Sequence, residues 1–195
     1  MRYRSACVAL SLCLATSVPA AVAENAEPTE AARADQSRHL SKSYGEKLKA
    51  ALVGAMKAGG PESAIAFCNV AAPEMAKQST VKSGWSLGRT ALKVRNPENA
   101  PDEWERTVLL EFQDKINQGA DAKSLEHYET TTKDDERVFR YMKAIPTQGP
   151  CLTCHGSNVS PSVKATIEEF YPDDQATGFE LGELRGAFTI TQPMP

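Results

Sequence analysis

The sequence is short of features that would point to several common functions. Its 22 basic and 25 acidic residues leave a net charge of −3, with no basic excess to hold nucleic acid. There is no internal repeat, and no low-complexity tract beyond an Ala/Glu-rich stretch near the N-terminus, so a repeat architecture is excluded. After the first twenty or so residues no apolar run is long enough to cross a bilayer. No kinase or cyclase segment is present. Cys151 and Cys154 have no second pair of cysteines or histidines to complete a zinc ribbon.

The N-terminus sets the compartment. Arg2 and Arg4 form a basic region, Ala6 to Val18 is apolar, and Ala21-Val22-Ala23 is an A-x-A cleavage site followed by polar residues. This reads as a secretory signal peptide over residues 1–23, giving an exported, periplasmic protein with no stable membrane insertion after cleavage. Leu12 precedes Cys13 where lipoprotein processing needs a small residue, which disfavours a lipid anchor. Residues 24–36 read as a polar linker and 37–195 as one domain. Cleavage would also remove Cys7 and Cys13, leaving Cys68, Cys151 and Cys154.

Cys151-Leu152-Thr153-Cys154-His155 has the pattern that attaches a c-type haem. Two thiols at this spacing match the two vinyl groups on one porphyrin edge, and the adjacent imidazole falls under the iron as an axial ligand. Gly156 behind it is expected to let the backbone pass close to the macrocycle. Pro146 and Pro150 predict a loop around the motif. A thiol–disulfide pair would want a βαβ setting, which the following Gly-Ser-Asn does not suit.

Periodicity places the remaining elements. Leu40, Tyr44, Leu48, Leu52 and Met56 predict a helix over 31–58, which Gly59-Gly60 ends. Pro61 opens a second helix to Ala72, with Ala64, Ile65, Cys68, Ala71 and Ala72 on one face, and Pro73 is expected to break or kink it. A strand is predicted over 84–94. A helix over 101–118 follows, with Trp104, Val108, Phe112 and Ile116 as its stripe. Residues 125–131 and 136–145 predict an antiparallel hairpin turning at Lys133-Asp134-Asp135. Ser160-Pro161 predicts a short helix carrying Val163, Ile167 and Phe170, and 183–191 a last strand. Helices early and antiparallel strands later make the class α+β.

With these residues placed, the chain resembles the family of exported c-type haem domains with a PAS-like fold. The resemblance spans roughly residues 40–191. It is carried by Ala64-Ile65-Ala66-Phe67-Cys68 with Ala72-Pro73, Gly88-Arg89-Thr90, Arg95-Asn96-Pro97-Glu98-Asn99-Ala100-Pro101, Trp104-Glu105 and Arg140-Tyr141-Met142-Lys143. The Cys151–Gly156 motif and Gly182-Glu183-Leu184-Arg185-Gly186-Ala187 complete it. It implies an antiparallel sheet flanked by helices, one covalently bound haem, and an axial pair of His155 and Cys68.

Read from the residues, the position opposite His155 has more candidates. Met56, Met75, Met142 and Met194 offer thioethers, and His39 and His127 offer imidazoles. Met56 and Met142 continue apolar patterns that suggest packing. His39 lies beside its helix stripe, His127 in a polar strand, and Met194 in the tail. Cys68 is balanced between a buried small side chain and a ligand. Two features favour ligation: an alanine-lined face that lets a porphyrin approach, and its being the one thiol left over in an oxidising compartment. A thiolate on the iron would favour the ferric state and a low potential. Arg89 or Arg95 would pair the propionates.

Two function classes follow. One is a mono-haem redox carrier or redox/small-ligand sensor acting with a separate redox or signalling partner protein. The other is a haem enzyme working on peroxide, nitrite or NO, which needs an open sixth position. A non-haem thiol or metal protein is a weaker third.

Overall fold

The computed structural model describes residues 27–80 and 83–195. The expected signal peptide lies outside the described residues. Helix α1 spans Glu30–Thr80, interrupted by non-helical Gly59 and Gly60. Gly60 adopts φ +77°, which a residue without Cβ reaches at no steric cost. The chain doubles back there, and Tyr44 Oη in the first segment donates to Ala72 O in the second at 3.2 Å.

Two expectations for this helix need correction. The polar stretch before Gln36 is not all linker, because the helix begins at Glu30 and Arg33, Ala34 and Ser37 are buried. Their polar atoms are met from the far end of the chain. Arg33 Nη1 donates to Gln192 Oε1 at 3.2 Å, and Gln192 Nε2 donates back to Arg33 O and Ser37 Oγ. Pro73 does not break the second segment, which continues to Thr80. Ala72 and Ala76 are buried on either side of it, and Ala76 and Met75 pack on the sheet. That packing outweighs the one backbone hydrogen bond that proline removes.

Strands β1 (Ser86–Thr90), β2 (Glu126–Lys133), β3 (Glu136–Pro146) and β4 (Leu184–Pro193) form one antiparallel sheet in the order β1-β4-β3-β2. The β2–β3 hairpin turns through Asp134 and Asp135 at φ +52° and +62°, the left-handed pair that a two-residue hairpin loop requires. β1 is shorter than the predicted 84–94. A Cβ on Gly186 of β4 would fall 2.4 Å from Thr90 O, so the strands touch backbone to backbone at this end and the chain then leaves the sheet.

Both faces of the sheet are covered. On one, Leu87, Phe139, Tyr141 and Ile190 pack under Ala34, Tyr44 and Ala76 of α1. On the other, Met142, Ala144, Leu184 and Ala187 pack under Val108, Leu109 and Phe112 of α2 (Glu103–Asn117). This double burial makes Val138–Met142 a continuous buried run instead of an alternating one. α2 starts with a capping box: Glu105 N donates to Asp102 Oδ1 and Asp102 N to Glu105 Oε2. Helices α3 (Leu152–His155) and α4 (Pro161–Phe170) complete the chain. The architecture is the expected α+β sheet flanked by helices. Among the described residues no helix is long and apolar enough to cross a membrane.

Candidate functional site

The C-x-x-C-H motif is helical, not the loop that its prolines suggested. Pro150 sits in a 3-10 turn, Gly149–Cys151, that runs straight into α3. Proline is tolerated there because the first residues of a helical turn have no partner for their N–H groups. One turn brings Cys151 and Cys154 to the same side with His155 beside them, and both thiols are free and half-buried. Gly156 is required for a local reason. A Cβ there would lie 2.7 Å from Leu152 O, within the motif's own turn.

His155 is held from behind. Its Nδ1 lies 2.6 Å from Ala176 O, which places the proton on Nδ1 and leaves Nε2 as the donor atom. Phe179 packs edge-on against the imidazole, with centroids 6.3 Å apart and planes at 88°. The backbone ties the same segments together, Phe179 N donating to His155 O and Gly178 N to Gly156 O. Burial, with Arg185, Arg95 and Arg89 adding like charge, pulls the imidazole down to about 2. The ring is therefore neutral at any physiological pH, as a metal ligand must be.

Cys68 reaches this place from α1. Ile65, one turn earlier on the same face, packs with Val163, Ile167 and Tyr171, and Cys154 joins that cluster. Cys68 lies within electrostatic reach of Cys154, whose thiol is pushed up first by burial and also by Cys68. Burial likewise pushes the Cys68 thiol up, against the pull of Arg89 and Arg95. Tyr44 and Tyr171 feel the charge of Cys68 too. Cys68, Cys154 and His155 thus share one neighbourhood between the second segment of α1, α3 and α4.

The other sulfurs and imidazoles are occupied elsewhere. Met142 is fully buried under α2, and Met75 packs on the α1 face of the sheet. Met194 Sδ accepts from Thr130 Oγ1, and His39 is exposed. His127 lies edge-on to Trp104, beside Glu111 and Glu129. Met56 is half-buried on the first segment of α1.

The arginines divide. Arg95 is consumed by structure: Nε and Nη2 fork onto Asp174 at 3.0 and 3.1 Å, and Nη2 also donates to Cys154 O at 2.7 Å and Ala176 O at 3.3 Å. Of the two arginines expected to face propionates, Arg95 is thereby withdrawn. Arg185, at the start of β4, lies over the Phe179 ring at 5.3 Å and is lowered to about 10 by burial and by Arg95 and Arg89. Sequence reasoning gave Arg185 no role, and it missed Asp174, Ala176 and Phe179. Tyr171-Pro172-Asp173-Asp174 carried only a helix-stop signal.

The residues fit a porphyrin better than a bare ion. Among the described residues no three His, Cys, Asp or Glu side chains converge to hold a metal. A porphyrin supplies four nitrogens itself and needs from the protein only axial donors, thiols for its vinyl groups and cations for its carboxylates. Free thiols at the correct spacing, a neutral imidazole with Nε2 free, and Arg89 and Arg185 nearby meet those needs. A cavity of about 310 Å³ lined by Asp121 to Lys123, Pro146 to Gly149, Leu181 and Gly182 borders the entry to the motif and not the imidazole.

Comparison with known proteins agrees with this chemistry. The sequence model of the family described as Tll0287-like matches residues 15–193. The structure is similar to the crystal structure of the cyanobacterial heme-protein Tll0287, at 26% identity and a TM-score of 0.60, covering 82% of this chain and 96% of that one. None of the curated proteins matches the sequence.

Proposed function

The chain belongs to the Tll0287-like family, and from that premise we propose that it is an exported mono-haem protein serving as a low-potential redox carrier or redox/small-ligand sensor. The haem c is held by thioether bonds to Cys151 and Cys154, with His155 as one axial ligand and Cys68 as the other. The signal-like residues 1–23 support export, to the periplasm or otherwise out of the cytoplasm. Arg89 and Arg185, the cations near His155, would pair the propionates.

One observation carries the reading. The helix bearing Cys68 packs through Ile65 into the cluster that Cys154 borders, while His155 is fixed by Ala176 O with Nε2 left free. The haem supplies a one-electron iron couple. The residues do the rest: Ala176 O fixes the tautomer, Phe179 limits rotation of the ring, and the arginines offset negative charge from a thiolate and two carboxylates. A coordinated thiol is deprotonated by the metal despite the upward push of burial. Bound there, the haem would supply the redox change, and Cys68 would hold its iron more firmly in the ferric than in the ferrous state.

Absorbance and low-temperature EPR of protein matured with cytochrome c assembly machinery test this. The wild type should give a c-type pyridine haemochrome and a low-spin ferric signal with narrow g-spread, and Cys68→Ser should lose the latter. A colourless exported protein defeats the haem assignment. An unchanged ferric spectrum in Cys68→Ser removes Cys68 as ligand. Efficient turnover of peroxide or nitrite would favour the enzyme reading.

A further inference from the structure

Ala176 O accepts twice, from His155 Nδ1 at 2.6 Å and from Arg95 Nη2 at 3.3 Å. The same guanidinium nitrogen donates to Cys154 O, within the motif, at 2.7 Å. Asp174 closes the network, its Oδ1 accepting from Ala176 N at 3.0 Å as well as from Arg95 Nε at 3.0 Å. The ion pair is protected from water, with side chains only 11% and 9% exposed. Three segments therefore meet at one guanidinium: the residues after β1, α3, and Asp174 to Ala176.

We infer that Arg95 and Asp174 are a positioning pair that sets how strongly His155 donates to Ala176 O, and through it the basicity of Nε2 toward iron. A carbonyl that already accepts from a cation is a weaker acceptor for a second donor. With Arg95 present, the His155 Nδ1–H bond, short at 2.6 Å, is weaker than it would be to an unshared carbonyl, and the imidazole stays short of imidazolate character. The inference rests on the haem reading above.

Three variants of the haem-loaded protein test it, read by the His155 Nδ1–H proton resonance in the ferrous state and by the reduced-to-oxidised ratio at a fixed poise. Arg95→Gln should move the proton downfield and lower the ratio about tenfold, roughly 59 mV for one electron. Asp174→Asn keeps an oxygen for Ala176 N but removes the charge that offsets Arg95, so the guanidinium pulls harder on Ala176 O, the proton should move upfield and the ratio should rise. Arg95→Lys, which keeps charge but loses the fork, should move the proton in the same direction as Arg95→Gln with a smaller change in ratio. It also serves if the glutamine variant fails to fold.

Earlier melting in Arg95→Gln or Arg95→Lys with an unmoved proton would make the pair merely structural and overturn the proposal. A wild type without haem c defeats the proposed function instead. In that case the ¹⁵N shifts of the His155 ring in the same protein still report whether Arg95→Gln alters the Nδ1–H bond.

Discussion

Two clusters of buried charge sit on different elements of this fold, and they are built differently. Under α2, Arg140 is 4% exposed in its side chain and meets Asp102 at 2.8 Å and Glu105 at 3.2 Å. Lys133 adds to Asp102, Thr189 Oγ1 donates to Glu105 at 2.7 Å, and the Trp104 ring lies 4.2 Å from the guanidinium. Two cations face two carboxylates, and of Arg140's nitrogens only Nε lacks a partner. Around His155, Arg89, Arg95 and Arg185 act on the imidazole, and Asp174 beside them is taken by Arg95. The first cluster is complete, so it can do nothing but hold. The second keeps surplus cations, unpaired thiols and a free ring nitrogen, which is what a site awaiting a charged ligand looks like from the protein side.

Substitutions can break this contrast. The largest expected effect is on the open side: Cys151→Ser with Cys154→Ser should abolish covalent haem, leaving no colour with the protein after denaturing extraction. Next comes Arg140→Met on the closed side, which leaves Glu105 buried without its partner. Removing one member of such a pair costs about 3 kcal/mol or more, readable as a lower urea midpoint. The haem spectrum should be unchanged in Arg140→Met. A spectral change there would mean that the two clusters are coupled through the sheet.

The open side was the more legible in sequence. Thioether chemistry fixes a covalent spacing, so Cys151, Cys154 and His155 could be named from five consecutive residues. Cys68 stood out as the thiol left over, but its approach to Cys154 depends on the Gly59–Gly60 reversal and on Ile65 meeting α4, which is packing across the chain. Ala176 acts through a backbone carbonyl that every residue possesses, so no side chain could announce it. Pro73 and residues 30–36 misled for the opposite reason. Their local signals were clear, but Ala72 and Ala76 hold the helix past the proline, and Gln192 meets Arg33 from the last strand. Gly156 has a further constraint that the sequence did not suggest, in the turn of the motif itself.

The smallest effect sharpens the contrast through pH. Burial pushes the Asp102 carboxyl up, but hydrogen bonds from Arg140 and the Glu105 backbone, with the charge of Arg140, outweigh it and hold it below the usual aspartate value. A carboxyl depressed in the folded state binds fewer protons there than in the unfolded chain. Its contribution is therefore present above the unfolded value of about 3.9 and fades as pH falls through the lower folded value. Asp102 is partly open to solvent, so the contribution is modest. Arg140→Met removes the main cause of the depression and so most of this acid-side loss. With burial less opposed in Arg140→Met, its carboxyls take up protons at higher pH than in the wild type. The stability gap between the two should therefore narrow as pH falls from 7, most of all below pH 4, measured as urea midpoints on haem-loaded protein. Ligand release at His155 or Cys68 in acid affects both proteins alike and cancels in the difference, provided the clusters are independent. A gap that stays constant to pH 3 would show that Arg140 holds α2 through packing on Trp104 rather than through charge.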